Sequence, residues 1–128
     1  MIRVCIDYRD INQACPKDNF PTPFVDQIVN DFAGSEIFSL RDGFSRYNQI
    51  NILPLDQHKT ASICPWGTFA YRKLPFGLKN TSATFQRAMS YDFHDIKNIV
   101  QPYLDDLLMH SMHRSDHPTH LQSIFLHC

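Results

Sequence analysis

The stretch VQPYLDDLLMHS, residues 100–111, sets Asp105 and Asp106 side by side among Tyr103, Leu104, Leu107 and Leu108. Adjacent carboxylates repel each other and lose solvation beside apolar side chains. A plain turn accounts for one Asp, which tolerates turn geometry and caps backbone amides; it does not call for leucines on both sides. Apolar runs before and after the pair read as two short strands, with the aspartates at a tight hairpin between them. Carboxylates held there suit a divalent cation, because Mg²⁺ takes hard oxygen ligands, commonly one or two carboxylates plus substrate phosphates. Two-metal phosphoryl transfer draws on further carboxylates. Asp42, which closes the apolar run IFSLRD (37–42), is the candidate third.

Outward from this hairpin the chain alternates strand-like and helix-like runs. RVCIDY (3–8) reads as a strand, and the prolines at 16, 21 and 23 mark an extended connector. Val25, Ile28, Val29 and Phe32 fall at helical spacing, with Gly34 as a stop. Residues 37–40 form a second strand, and residues 47–53 alternate as a strand would. Residues 60–64 and 68–74 bracket PWG, a hairpin with Gly67 in its turn. A helix begins at Asn80 or Thr81, with Phe85, Ala88, Met89, Phe93 and Ile96 as its apolar stripe, and a last helix runs from about Asp116 with Leu121, Ile124 and Phe125 on one side. Mixed strands, helices and hairpins predict an α+β fold.

The 128 residues bound the chain to one domain or part of one, and 43 % hydrophobic content supplies a core. A net charge of −1 excludes a strongly basic, free-standing nucleic-acid binder, so any such role rests on local Lys and Arg. The four cysteines show neither a CxxC pair nor a disulfide framework and read as reduced, buried thiols of an intracellular protein. No run approaches the roughly 18 apolar residues of a spanning helix, so no membrane partner is expected. MIRVCIDYRD lacks a secretion signal and opens straight into a strand-like run, as a piece of a longer chain would.

VCIDYRDIN, PKDNFPTP, FSLRDGFSRYNQI, KTASICPWGTFAYRKLPFGLKN, ATFQRAM and YLDDLL follow one another in an order that resembles a reverse transcriptase, the RNA-directed DNA polymerase of gypsy-type long-terminal-repeat retrotransposons in a plant-like form. The resemblance covers nearly all of residues 3–125. It implies a right-hand polymerase fragment with an antiparallel palm sheet and packed helices: residues of about 1–36 and 54–80 would be fingers-like, about 37–53 and 81–128 palm-like. It also implies Asp42, Asp105 and Asp106 as catalytic, metal-binding residues with Mg²⁺, or Mn²⁺ in its place. Arg3 matches a triphosphate-gripping arginine, Tyr47 an aromatic gate against a 2′-hydroxyl, and Phe76 and Gly77 the loop against the incoming nucleotide. The implied partners are an RNA or DNA template with its primer, a dNTP, and the rest of a polyprotein that includes thumb, RNase H and integrase. Gln86 and Arg87 read either as surface residues or as template contacts.

Four positions depart from the family pattern. Arg46 stands where the family has Gly before the gate. Arg41 replaces an apolar residue beside Asp42 and is placed to pair with a catalytic carboxylate. Asp92 falls on the helix stripe, and Pro102 removes a ladder donor from its strand. With no thumb to grip primer and template, the isolated chain is expected to be weak or inactive. The alternative is a non-catalytic remnant, or a palm scaffold co-opted to bind nucleic acid or a partner. His110, His113, His117, His120, His127 and Cys128 offer zinc-type donors, but their spacing matches no standard site and Pro118 falls among them. A polar surface is the other reading.

Overall fold

A computed structural model describes residues 4–42 and 44–127, without the side chains of 44–46. Contacts divide the chain into two compact units, Met1–Asn19 with Ser45–Ser82, and Phe20–Phe44 with Ala83–Cys128.

In the first unit, helix α1 (Arg9–Ala14) follows a strandless run, residues 4–8. The strand expected over 3–8 is therefore absent from its described part. The Asp7 carboxylate accepts the Arg9 backbone N–H at 3.1 Å and grips its guanidinium, so the local bonding starts a helix instead. The strand expected over 47–53 is also replaced, by a 3₁₀ helix, Phe44–Gln49, and a single bridge, Asn51 to Lys73. A second 3₁₀ helix, Pro54–Thr60, begins at a proline, whose fixed φ suits a first helical turn. Alternation alone could not make a strand of 47–53, because it does not show whether a partner strand is there to pair with, and among the described residues only the Asn51–Lys73 bridge forms. Strands β2 (Ser62–Cys64) and β3 (Gly67–Phe69) form the hairpin foreseen around Pro65 and Trp66, with Gly67 at φ +137°. β3 ends at Phe69, short of the expected Leu74; beyond it Ile52 N–H bonds Arg72 O and Leu74 N–H bonds Ile50 O.

The second unit is a three-stranded antiparallel sheet ordered β1–β5–β4, with β1 Ile37–Asp42, β4 Val100–Tyr103 and β5 Asp106–Ser111. Helix α2 (Val25–Asp31) precedes β1. Its predicted stripe is only half used: Ile28 and Phe32 are buried, whereas Val25 and Val29 are exposed. Phe32 stacks on His110 with ring centroids 4.0 Å apart, and tilts against Phe38 at 6.3 Å. Helix α3, Thr81–Asp92, begins in the first unit and continues into the second, where Phe85, Met89 and Phe93 supply buried apolar surface. Ile96 falls beyond α3 in a 3₁₀ turn, and Asp92, at the helix end, is exposed, so the burial foreseen for it does not arise.

Helix α4 (His117–His127) carries buried Ile124, with Pro118 in its first turn, where no backbone donor is missed. Leu121 is half-buried, and Phe125, expected on the same side, is exposed. Serines tie α4 to the sheet. Ser39 and Ser111 hydroxyls each lie 2.8 Å from a ring nitrogen of His117, and Ser111 also reaches His120 Nδ1 at 2.8 Å. The C-terminal histidines are thus neither a zinc cluster among the described residues nor a purely polar surface: His110 and His117 are buried and bonded to serines, while Cys128 lies outside the described residues. Among the described residues no helix is long and apolar enough to cross a membrane.

Candidate functional site

The strand register brings the sequence-predicted carboxylates together. β5 pairs with β1 so that Asp42 stands directly opposite Asp106, and with β4 so that Tyr103 does the same from the other side. Side chains alternate along a strand, so one face carries the row Tyr103–Asp106–Asp42, then Gln101–Leu108–Leu40 behind it. This face is open at the aspartate end, where Asp42 and Asp106 are exposed and Leu40 is 75 % exposed. The opposite face carries Leu107, Met109 and Val100, all buried. Arg41 pairs with Leu107 and so projects to the face opposite Asp42. The ion pair expected of Arg41 with a catalytic carboxylate is therefore disfavoured by strand geometry.

Asp105 occupies the second place of a two-residue turn between Tyr103 and Asp106. Burial pushes its carboxyl above the ordinary Asp value, and the charges of Asp106 and then Asp42 push it further. Its Oδ1 is buried with no hydrogen-bond partner. The first turn residue, Leu104, has φ +51°, a region that leucine rarely enters. Among the described residues no group of three or more His, Cys, Asp or Glu side chains is arranged to hold a metal ion, so Asp42, Asp105 and Asp106 do not converge on one point here. In donor chemistry they offer oxygen only, the type that a hard cation takes, and one of those oxygens is buried and unbonded.

Pro102 lies on the edge strand β4, where the missing donor leaves the ladder to β5 intact. The sequence reading of Gln86 as a surface residue or template contact is overturned. Gln86 is 1 % exposed; its Nε2 donates to Pro102 O at 3.0 Å, and its Oε1 accepts the Leu104 N–H at 2.9 Å. A polar residue next to buried Phe85 was the available signal, but its partners lie 16 and 18 residues away. Arg87 is exposed and rests over the Phe20 ring, 4.8 Å from its centroid.

The other predicted site residues fall in the first unit or outside the described residues. Tyr47 is 3 % exposed. Phe76 is exposed, and Gly77 adopts φ +102°, which disfavours any side chain; a Cβ there would lie 3.6 Å from the Tyr8 ring. This turn is tied to α1, for Asn12 donates to Gly77 O at 2.9 Å and accepts the Lys79 N–H at 2.7 Å. Lys79 Nζ donates to the carbonyls of Asn12 and Cys15 at the end of α1. Tyr8 itself is buried, its hydroxyl pushed up to about 12 by desolvation. Arg3 and the side chain of Arg46 lie outside the description.

The sequence profile of the family described as reverse transcriptase (RNA-dependent DNA polymerase) matches residues 1–128. The Transposon Tf2-3 and Tf2-7 polyproteins of Schizosaccharomyces pombe (strain 972 / ATCC 24843) are each 32 % identical over 124 residues, covering 96 % of this chain and 9 % of their own length. The crystal structure of native prototype foamy virus protease-reverse transcriptase superposes with a TM-score of 0.84 at 22 % identity, over 98 % of this chain and 17 % of that one. A foamy viral protease-reverse transcriptase in complex with RNA/DNA hybrid gives 0.80 at 21 % identity, over 94 % and 16 %. At that identity the likeness shows the fold: mixed helices and antiparallel sheet, as in a polymerase fingers and palm fragment.

Proposed function

Because this chain belongs to the reverse transcriptase (RNA-dependent DNA polymerase) family, we propose that it is the fingers and palm portion of a retrotransposon enzyme that extends a primer on an RNA or DNA template. The element is of gypsy type in a plant-like form, on the motif resemblance given above. Residues of about 1–36 and 54–80 are read as fingers and about 37–53 and 81–128 as palm, a division that differs from the two contact units at residues 20–36 and 45–53. In the proposed reaction the primer 3′-hydroxyl attacks the α-phosphate of a dNTP, its bond to the β-phosphate breaks, and pyrophosphate leaves.

One observation carries the reading: Asp42 facing Asp106 on an open sheet surface, beside the buried, unbonded oxygen of Asp105. Like charges directly opposite each other destabilise a sheet, and a buried acceptor without a donor adds to that cost. A bound cation would offset both. Asp42, Asp105 and Asp106 would hold Mg²⁺ or Mn²⁺, which, when bound, makes the primer hydroxyl more acidic and neutralises triphosphate charge. The carboxyl of Asp105 gives up its proton less readily than an ordinary Asp, so the donor set gains affinity for a cation as pH rises.

The remaining roles follow the family resemblance. Arg3 grips the triphosphate, and Tyr47 blocks a 2′-hydroxyl, both on the motif resemblance. Phe76 and Gly77 lie against the incoming nucleotide, where positive φ and the lack of a side chain allow close backbone approach. The polyprotein context of the transposon relatives supports neighbouring thumb, RNase H and integrase segments as partners. The test is Mn²⁺ binding followed by electron paramagnetic resonance, comparing this chain with its Asp105→Asn, Asp106→Asn form. Binding to the first and not the second is expected; equal binding removes the reading.

A further inference from the structure

Resting on that metal-site reading, we infer that Gln86 is a positioning residue, whose side-chain amide holds the Leu104–Asp105 turn in the conformation that presents the aspartates. A buried primary amide must have its donors and acceptor met. Gln86 meets them on both sides of the hairpin bend, donating to the Pro102 carbonyl and accepting the Leu104 N–H, with Ser90 Oγ a further, longer contact at 3.4 Å.

Both hairpin atoms need such a partner. Pro102 lies on the edge strand, and among the described residues no further strand follows β4 to take up its outward carbonyl. Leu104 stands at φ +51°, which a residue with a Cβ keeps only where its surroundings enforce it. The amide is that enforcement, because a Leu104 N–H pointing at Gln86 Oε1 fixes the peptide plane entering the turn. Without it, Leu104 relaxes toward negative φ, and Asp105, the next residue, turns away from Asp106 and Asp42. Gln86 touches no reacting atom and acts only through hairpin backbone.

The test uses the 128-residue chain and two readouts, Mn²⁺ affinity and hydrogen exchange at the Leu104 amide. Gln86→Met, which keeps length and burial, is expected to weaken Mn²⁺ binding about tenfold, as loss of groups behind metal ligands does, and to speed Leu104 exchange about a hundredfold. The double variant Gln86→Met, Leu104→Gly, whose turn enters positive φ unaided, is expected to recover most of the Mn²⁺ affinity. A merely structural role for Gln86 would leave the double variant as weak as the single one, which overturns the proposal, as does unchanged affinity in Gln86→Met. Should Gln86→Met not fold, Gln86→Glu retains the acceptor for Leu104, and fast exchange at that amide in the Glu form overturns the proposal instead. If the unaltered chain binds Mn²⁺ no better than its Asp105→Asn, Asp106→Asn form, the metal-site reading falls; slow Leu104 exchange that is lost in Gln86→Met then still supports Gln86 as the holder of the turn, and unchanged exchange overturns that.

Discussion

Asp42 and Asp106 stand directly opposite each other across an antiparallel pair, and like charges so placed destabilise a sheet. Asp42→Asn, which removes this opposed charge, is expected to weaken Mn²⁺ binding, measured by paramagnetic resonance. Asp105 adds a pH signature. Its folded-state value is raised, so ionisation works against the fold as pH climbs through that raised value, and the penalty vanishes below the ordinary value of 3.8. Asp105→Asn should thus have the higher melting temperature at pH 7 without metal, and the two curves should converge below that value. His110 runs the other way. Burial holds its imidazole below the ordinary value, a hydrogen bond to the Asn98 backbone opposes that, and His120 reinforces it. The neutral ring stabilises the fold above pH 6.5, and that contribution is lost as pH falls through the lowered folded value. The urea midpoint is expected to drop on acidification in the unaltered chain, and less so in His110→Asn.

The elements show how far local pattern reaches. α2, α3 and α4 were legible because helical periodicity is written into consecutive residues, and the β2–β3 hairpin because PWG interrupts two strand-like runs, although the turn is Pro65–Trp66 and Gly67 already opens β3. The expected strands over 3–8 and 47–53 were not, since propensity and alternation do not reveal whether a partner strand or a buried face exists. The sheet of the second unit has two unlike faces, and this gives a sharp contrast. Leu107→Ala, on the buried face, is expected to cost about 3 kcal/mol, whereas Leu40→Ala, 75 % exposed on the open face, should stay within about 0.5 kcal/mol. Equal losses in a urea series would contradict the open-face assignment that the proposed metal site depends on.

At the scale of the whole molecule, the chain spans 9 % of the transposon polyproteins it matches. Its net charge of −1 offers little long-range attraction for a phosphate backbone, so grip on primer and template must come from elsewhere in such a polyprotein. Primer extension by the isolated chain with Mg²⁺ or Mn²⁺ is expected at the level of the Asp105→Asn, Asp106→Asn form, and robust extension would overturn that expectation. The irregular positions also resolve at this scale. Pro102 is accommodated by an edge strand, Asp92 by solvent, and Arg41 by the opposite sheet face, so none of the three conflicts with the fold.

By itself the sequence determined the family, the α+β class and the main helices, and it singled out three candidate carboxylates, because ordered motifs and periodicity are properties of neighbouring residues. Only the tertiary structure decided that Asp42 and Asp106 share one face, that the His-rich end is a buried serine–histidine network, and that Gln86 braces the hairpin. Each of these depends on atoms brought together across strands and helices, where register, burial and unmet hydrogen bonds, rather than local pattern, select the arrangement.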